Sequence, residues 1–371
     1  MKFTIPQSAL YQALQRMISI IPLKTTIPIL TNILFDLRGN RLQLTGTDLE
    51  VSIITGLEVI GEEDGSAAFP AKRLFDLVRE LPDIPLRLEA EANNRLTIKT
   101  EKGNYKIAGE PSDEYPHIST EKQTTQFSYR ASRFMSTVEK VIFAVSADEL
   151  RTTLMGMLLE IRKDELRLVA TDGHRLVKVR DTKFTFDGAP NQVVIPVKSL
   201  HLLGRNMGDG DEMTIGMSQE HITFVLGQTT IYSKLISGHY PAYERVIPTS
   251  NPLTMTVDRE LLGATVRRSS IFANQHTRQI KWTLEPGALT IHAQDAEMSG
   301  DSQETIPVEY AGDSMDIGYN ANYVLEILRH LDTEHVLFKL KDGGSAAIIE
   351  PVPQPEDLDV MMLLMPIRIN E

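Results

Sequence analysis

Apolar and polar residues alternate through Leu166-Arg167-Leu168-Val169-Ala170-Thr171, and the run ends at a carboxylate, Asp172. Side chains at every second position share one face of a strand, so this stretch predicts a strand capped by an acidic turn. The same order returns twice. Leu42, Leu44, Gly46 and Asp48 match Leu166, Leu168, Ala170 and Asp172, and Leu289, Ile291, Ala293 and Asp295 match them again. The aspartates lie 124 and then 123 residues apart. Other markers keep phase: Leu74, Leu200 and Val324 are 126 and 124 apart, and Tyr240-Pro241 follows Tyr115-Pro116 by 125. A fixed period that divides 371 residues into three predicts three similar repeats.

Each repeat reads as helix, strands, helix, strands. In the first, Leu10, Leu14, Met17, Ile18 and Ile21 recur at helical spacing, and Pro22 stops the helix. Ile27 to Leu37 alternates as a strand, Arg38-Gly39-Asn40 turns the chain, Leu42 to Thr47 returns, and Val51 to Leu57 follows. A second helix begins near Pro70 with Leu74, Leu77 and Val78 on one face, and two more strands follow with turns at Asn93-Asn94 and Lys102-Gly103-Asn104. In the second repeat a helix carries Phe134, Val138, Val141 and Ile142, strands run from Leu154 to Ile161 and Leu166 to Ala170, and a helix follows Ile195-Pro196. The third has a helix with Leu261, Leu262 and Val266, strands around Trp282, Leu284, Leu289 and Ile291, a helix with Val324, Leu325, Leu328 and Leu331, and an apolar tail from Val360 to Ile369. The expected fold class is α+β: three tandem domains over 1–122, 127–248 and 249–371, each with two helices on antiparallel sheet. The linkers are Ser119 to Gln126 and Pro248 to Pro252. Duplication for a larger surface, with no special geometry, is the simpler account of such repetition.

The hydrophobic share of 42% gives each repeat enough apolar residues for a core. The absence of cysteine excludes disulfides, zinc–thiolate sites and thiol nucleophiles and fits a reducing compartment. The N-terminus lacks the apolar core of a signal peptide, and no apolar run reaches the ~20 residues that span a bilayer, so a soluble, cytoplasmic protein is expected.

A formal net charge of −12 argues, taken alone, against a surface that grips nucleic acid. The placement of the charges changes that. Predicted helices over 8–20, 71–81, 129–146, 197–207, 257–270 and 320–331 hold 13 Lys/Arg and 6 Asp/Glu, a net +7 that leaves −19 for the rest. The nine of these expected on one common side are Arg16, Arg73, Arg79, Arg133, Lys140, Lys198, Arg205, Arg267 and Arg268. Any one of them is explained as an ordinary solvated helix position. Six helices biased the same way, gathered on one side, would focus a polyanion there. With no helix dense in Arg and Asn, no aromatic platform and no zinc knuckle, such contacts would be to phosphate and blind to sequence.

Thr171-Asp172-Gly173-His174-Arg175 has the residue types of an acid/base loop, and also those of a tight turn. The other repeats carry Leu49-Glu50 and Ala296-Glu297 in place of Gly-His, which favours the turn. No phosphate loop, dinucleotide fingerprint or His-Glu-x-x-His is present. Asp209-Gly210-Asp211-Glu212 lacks calcium-loop spacing and reads as a hairpin turn, so no metal or cofactor is expected. The Met-rich tail Met361-Met362-Leu363-Leu364-Met365-Pro366-Ile367-Arg368-Ile369 reads as a final core strand in its first half. Its second half suits a groove for varied peptides.

Several of these segments together resemble one family over the whole length: the β subunit of bacterial DNA polymerase III, a DNA sliding clamp. The resemblance rests on Met1-Lys2-Phe3, Ile27-Pro28-Ile29-Leu30, Leu44-Thr45-Gly46-Thr47-Asp48-Leu49-Glu50, Ala170-Thr171-Asp172-Gly173-His174-Arg175-Leu176, Tyr240-Pro241 with Arg245-Val246-Ile247-Pro248, and Met365-Pro366-Ile367-Arg368. It implies a head-to-tail homodimer, a six-domain ring with helices lining the hole. Duplex DNA passes through without sequence specificity, and the ring is a processivity factor and not an enzyme. The resemblance also implies a pocket between the second and third repeats, lined by Leu154, Thr171, Gly173, His174, Arg175, Leu176, Pro241, Arg245, Val246, Leu363, Met365, Pro366, Ile367 and Arg368. There the replicative polymerase, the clamp loader and repair proteins insert short Gln/Leu/Phe-bearing peptides, with His174 and the arginines expected to frame the rim. Lys24 and Arg151 match DNA-contacting positions, beside the helix residues Arg73, Arg79, Arg133, Lys140, Lys198 and Arg205. At the dimer seam Tyr105 and Ile107 would face Ile271 and Phe272, and Lys72, Arg73 and Lys102 would meet Glu297, Asp301 and Glu304. The chain departs from the family at Ile367, where a second Met is common, and in the extra Asn370-Glu371. The competing readings are a tandem-repeat scaffold with no DNA role, which predicts a monomer, and a hydrolase using Asp172 and His174.

Overall fold

A computed structural model describes residues 1–118, 122–207, 212–295 and 300–369. The expected turn at Asp209-Gly210-Asp211, the seam residue Glu297, the extension Asn370-Glu371 and the start of the first linker lie outside the described residues.

Among the described residues six helices form: α1 (Gln7–Ile18), α2 (Ala71–Glu80), α3 (Ala131–Val141), α4 (Val197–Asn206), α5 (Arg259–Ser270) and α6 (Ala321–Arg329). Strand runs straight into helix at Pro6, Pro70 and Pro196, which stand just before α1, α2 and α4. In the third repeat side-chain caps do this work. Asp258 accepts from Leu261 N at 2.7 Å, and Asn320 accepts from Asn322 N at 2.9 Å.

Among the described residues the strands form four antiparallel sheets, and the chain packs as two compact units: Met1–Met135 with Ile195–Leu235, and Ser136–Val194 with Ile236–Glu371. The first unit holds a five-stranded sheet in the order Ile60–Glu63, Lys2–Pro6, Pro85–Ala90, Arg95–Lys99, Asn104–Ala108. It also holds a nine-stranded sheet in which Val51–Glu58 of the first repeat pairs with Thr229–Lys234 of the second. The second unit holds a four-stranded sheet in the order Gly300–Pro307, Ala288–Asp295, Gln279–Glu285, Met315–Asn320. Its nine-stranded sheet runs Asn191–Pro196, Gly156–Arg162, Glu165–Thr171, Arg175–Asp181, Leu358–Leu364, Ala347–Val352, His335–Leu340, Leu253–Asp258, Glu309–Tyr310. Three repeats therefore give two compact bodies, because hydrogen-bonded sheets run across the repeat boundaries.

Each body has its own core. In the first, Phe35 and Phe69 meet edge to face at 5.3 Å, and Tyr11 of α1 stacks on Phe75 of α2 at 5.5 Å. Gly46 lets α1 close on the sheet, since a Cβ there would meet Ile20 at 3.0 Å. In the second, fully buried Trp282 packs against Tyr319 at 5.0 Å and Phe338 at 5.4 Å.

Two expectations need correction. The stretch from Ile27 is not one strand: Pro28–Thr31 is a 3-10 turn, and the strand begins at Asn32, as Gly156 follows the 3-10 turn Thr152–Met155 in the second repeat. Each repeat also opens with a strand that helical periodicity overshadowed: Lys2–Pro6, Thr125–Arg130 and Leu253–Asp258. Their alternation, as in Phe3 and Ile5 or Met255 and Val257, is only two apolar residues long.

Candidate functional site

The turn between Glu165–Thr171 and Arg175–Asp181 is built by its own side chains. Asp172 Oδ1 accepts from His174 N at 2.9 Å and Arg175 N at 3.0 Å, and Thr171 Oγ1 donates to Arg175 O at 2.6 Å. Gly173 takes φ +91°, and a Cβ there would stand 2.9 Å from an Arg151 guanidinium nitrogen, so both backbone and space select glycine. The C-terminal strand Leu358–Leu364 lies beside it, with Leu176 opposite Leu363, and Met365 N extends the pairing to His174 O at 2.8 Å. The tail then crosses Gly318, whose carbonyl accepts from Ile367 N at 2.8 Å. A Cβ on Gly318 would meet Ile367 O at 2.5 Å.

The fourteen expected pocket residues divide by depth. Leu154, Thr171, Arg175, Leu176 and Leu363 are buried. Leu176 and Leu363 belong to an apolar layer with Leu158, Val169, Tyr243 and Ile348, against which Ile236, Tyr240 and Ile247 pack. Leu154 precedes the strand that supplies Leu158 but is not itself in that layer. Gly173, His174, Pro241, Arg245, Val246, Met365 and Arg368 are exposed, while Pro366 and Ile367 are half-buried. The 3-10 turn Tyr243–Val246 holds Val246 and Arg245 beside Tyr243. Together the turn, the tail and this 3-10 turn make an apolar floor with an adaptable Met and Val at its edge.

Arg175 does not stand at the rim as expected. It is 6% exposed. Its Nε donates to Asp172 Oδ2 at 3.1 Å, one terminal nitrogen donates to Phe143 O at 2.8 Å, and the other pairs with Glu326 on α6. Its guanidinium carbon lies 4.7 Å from the Tyr323 ring centre and 5.1 Å from that of Phe143. Arg175 is a brace that ties the turn to α6, and the planar, permanently charged guanidinium suits that task. His174 stays outside and stacks on Tyr323 at 5.9 Å. Burial raises the Tyr323 phenol pKa, and nearby Asp172 acts in the same direction. Phe143, Tyr323 and Glu326 come from distant segments, and nothing in their local sequence announces a shared site. The Asp172 carboxylate is taken up by the turn's backbone N–H groups and by Arg175.

The observed helices keep the charge bias, with 12 Lys/Arg against 5 Asp/Glu. The eight expected DNA-contacting residues are not equivalent. Lys24, Arg73 and Arg205 are exposed and, among the described residues, have no carboxylate partner. Arg79 pairs with Asp76 at 3.7 Å and Glu80 at 3.1 Å, Lys140 pairs with Asp332, and Lys198 pairs with Asp48. Arg133 donates to Tyr129 Oη at 3.3 Å. Arg151 is held by Asp148 at 2.9 Å and donates to the Asp172 carbonyl at 2.9 Å, so it supports the 171–175 turn. In the first unit an open groove of about 720 Å³ is lined by Arg16 and Arg205. In the second, one of about 720 Å³ is lined by Arg259, Arg267 and Arg329.

Of the expected seam residues, Ile271 is 78% exposed, and Tyr105 and Phe272 are exposed at 37% and 40%. Ile107 is 2% exposed: its side chain is consumed by its own core and is not free for a partner. Lys72 pairs with Asp76 at 2.9 Å and Glu304 with Arg268 at 2.6 Å within the chain, while Lys102 and Asp301 are exposed. Phe272 lies over Gly300, at the start of the edge strand Gly300–Pro307.

Comparison with known proteins bears on the three repeats. Models of the DNA polymerase III beta subunit match in order: the N-terminal domain over residues 1–119, the central domain over 129–242 and the C-terminal domain over 244–368. The beta sliding clamp of Pseudomonas aeruginosa is 33% identical over 375 residues, covering all of both chains. The crystal structure of the DNA polymerase III subunit beta from that organism superposes with a TM-score of 0.95 at 32% identity, again over both whole chains. A structure of that organism's clamp bound to griselimycin gives 0.93 at 32% identity, with the same full coverage. The chain belongs to the DNA polymerase III beta subunit family, and its fold is three tandem clamp domains of helices on antiparallel sheet.

Proposed function

We propose that this protein is a sliding clamp: two copies join head to tail into a closed ring that encircles duplex DNA and tethers partner proteins. Its domains are 1–122, 127–248 and 249–371. The observation that carries the ring is the pair of incomplete sheets. The four-stranded and five-stranded sheets end at Gly300–Pro307 and Asn104–Ala108, each with one neighbour among the described residues. Place those edges side by side and the nine strands follow, one for one, the order of the nine-stranded sheet of the second unit. Gly300–Pro307 takes the place of Arg175–Asp181, and Asn104–Ala108 that of Leu358–Leu364. A second copy supplies the missing half, and a heterologous contact that closes makes a ring. It also covers two edges that would otherwise template aggregation.

The basic helices supply weak, screened contacts to phosphate, which permit sliding because topology, not affinity, holds the DNA. The seat formed by the 171–175 turn, Tyr243–Val246 and Met365–Arg368 takes the Gln/Leu/Phe-bearing peptides of a polymerase, a loader and repair proteins. The protein performs no catalysis. Sedimentation tests the ring. Wild type should sediment as a dimer, and Ile271→Glu with Phe272→Glu as a folded monomer. A wild-type monomer at micromolar concentration would favour the scaffold reading.

A further inference from the structure

The first unit carries a second copy of the turn that builds the peptide seat. Thr47 Oγ1 donates to Val51 O at 2.9 Å, where Thr171 donates to Arg175 O. Asp48 Oδ1 accepts from Glu50 N at 3.0 Å and Val51 N at 2.8 Å, as Asp172 does from His174 and Arg175. Lys234 N donates to Glu50 O at 2.9 Å, matching Met365 N and His174 O at 2.8 Å. Ser52 faces Tyr232 across the sheet, as Leu176 faces Leu363. Beside this turn lies a concavity of about 440 Å³, into which Pro116, the counterpart of Pro241, also projects. The scaffold is the same and the chemistry differs. Glu50 replaces His174, Ser52 replaces Leu176, Tyr232 replaces Leu363 and Lys234 replaces Met365.

Leu49 adds an independent mark. It occupies φ +77° where its counterpart is glycine, and it is 41% exposed at the cavity. A residue with a β-carbon rarely holds this conformation, and glycine there would relieve it. A strained, exposed leucine beside a concavity fits a contact kept for a ligand. Glu50 and Glu220 line the same cavity, are exposed and have no ion-pair partner among the described residues; Lys234 is the one exposed Lys or Arg there.

We propose that this cavity is a second peptide seat, selective for an extended segment with a Leu or Phe anchor flanked by Lys or Arg. Leu49, Pro116, Ile118 and the Tyr232 ring receive the anchor, and Glu50 and Glu220 receive the basic flanks. The net charge of −12 steers a basic segment toward the chain. The two seats then sort partners by flanking charge, one with Arg245 and Arg368 exposed at its rim and one with Glu50 and Glu220. This inference rests on the reading of the 171–175 turn as a peptide seat.

The test uses full-length protein and a fluorescent peptide with a central Leu and a photoreactive Phe analogue between arginines. The same peptide with glutamates in place of the arginines is the control. Crosslinking should place adducts in residues 47–52, 116–118 and 220–234. Leu49→Gly should weaken binding about fivefold while the melting temperature stays level or rises. Glu50→Lys with Glu220→Lys should erase the preference for the arginine peptide. Adducts confined to the 171–175 turn and the tail, equal binding by Leu49→Gly, or no saturable binding would overturn the proposal. Met365→Ala with Arg368→Ala separates the two readings. It should abolish binding of a Gln/Leu/Phe peptide and spare the arginine peptide. If that Gln/Leu/Phe peptide fails to bind wild type, the first seat itself is refuted.

Discussion

Replacing Arg175 by alanine separates a brace from a binding contact. The guanidinium is buried, and its removal strips a partner from Asp172, from the Phe143 carbonyl and from Glu326. Breaking a buried ion pair from one side costs about 3–5 kcal/mol. Glu326 is 47% exposed and regains water, so its share is discounted. Asp172 keeps its two backbone N–H donors, which lowers the penalty further. The lost stacking on Tyr323 and Phe143 adds about 1 kcal/mol. We expect a net loss of about 3 kcal/mol, or roughly 6–12 °C in the melting of a unit this large. His174 and Met365 hang on the same turn, so peptide affinity should also fall by about tenfold or more. Differential scanning calorimetry and fluorescence anisotropy read the two effects. Arg175→Lys, without the planar fork, should recover little of either. If Arg175→Ala shifts melting by less than about 2 °C yet still loses peptide, the residue is a rim contact and the brace is refuted.

Gly173→Ala should lose about 1–2 kcal/mol, because it strains the φ +91° backbone and meets the Arg151 guanidinium; chemical denaturation checks this. Arg73→Ala with Arg205→Ala should lower the slope of log DNA affinity against log salt by up to ~1.8 in a binding titration, whereas Lys140→Ala and Lys198→Ala, already paired with carboxylates, should change it less. The Arg167 guanidinium, at 2.6 Å, holds the Glu244 carboxyl below its ordinary range. That stabilisation is present above the ordinary glutamate pKa and is lost as pH falls through the lowered value. Glu244→Gln should therefore lower the melting temperature modestly at neutral pH, flatten its decline on the acid side and converge with wild type at low pH.

The period was readable because its mark is local: one apolar–polar alternation that ends at an aspartate (Asp48, Asp172, Asp295), repeated at nearly fixed distance. The helices were readable from 3.6-residue spacing and kept their net charge when their ends moved. Short opening strands such as Lys2–Pro6 were not, since two apolar residues do not establish a period. The role of Arg175 was hidden because its partners lie on α6 and after α3, far away in sequence. Ile107 reads like a seam residue by position, yet its burial depends on what covers that face of the sheet. The pairing of Val51–Glu58 with Thr229–Lys234, and hence two compact bodies from three repeats, rests on contacts no single repeat encodes.

The central claim is a closed ring held on DNA by topology. The most direct measurement loads the protein onto a nicked plasmid with a cognate loader and ATP, isolates the complex and cuts the plasmid once. A clamp stays bound before the cut and runs off the ends after it. Retention on the linear product would contradict the account, because it would mean that direct affinity, not encirclement, holds the protein on DNA.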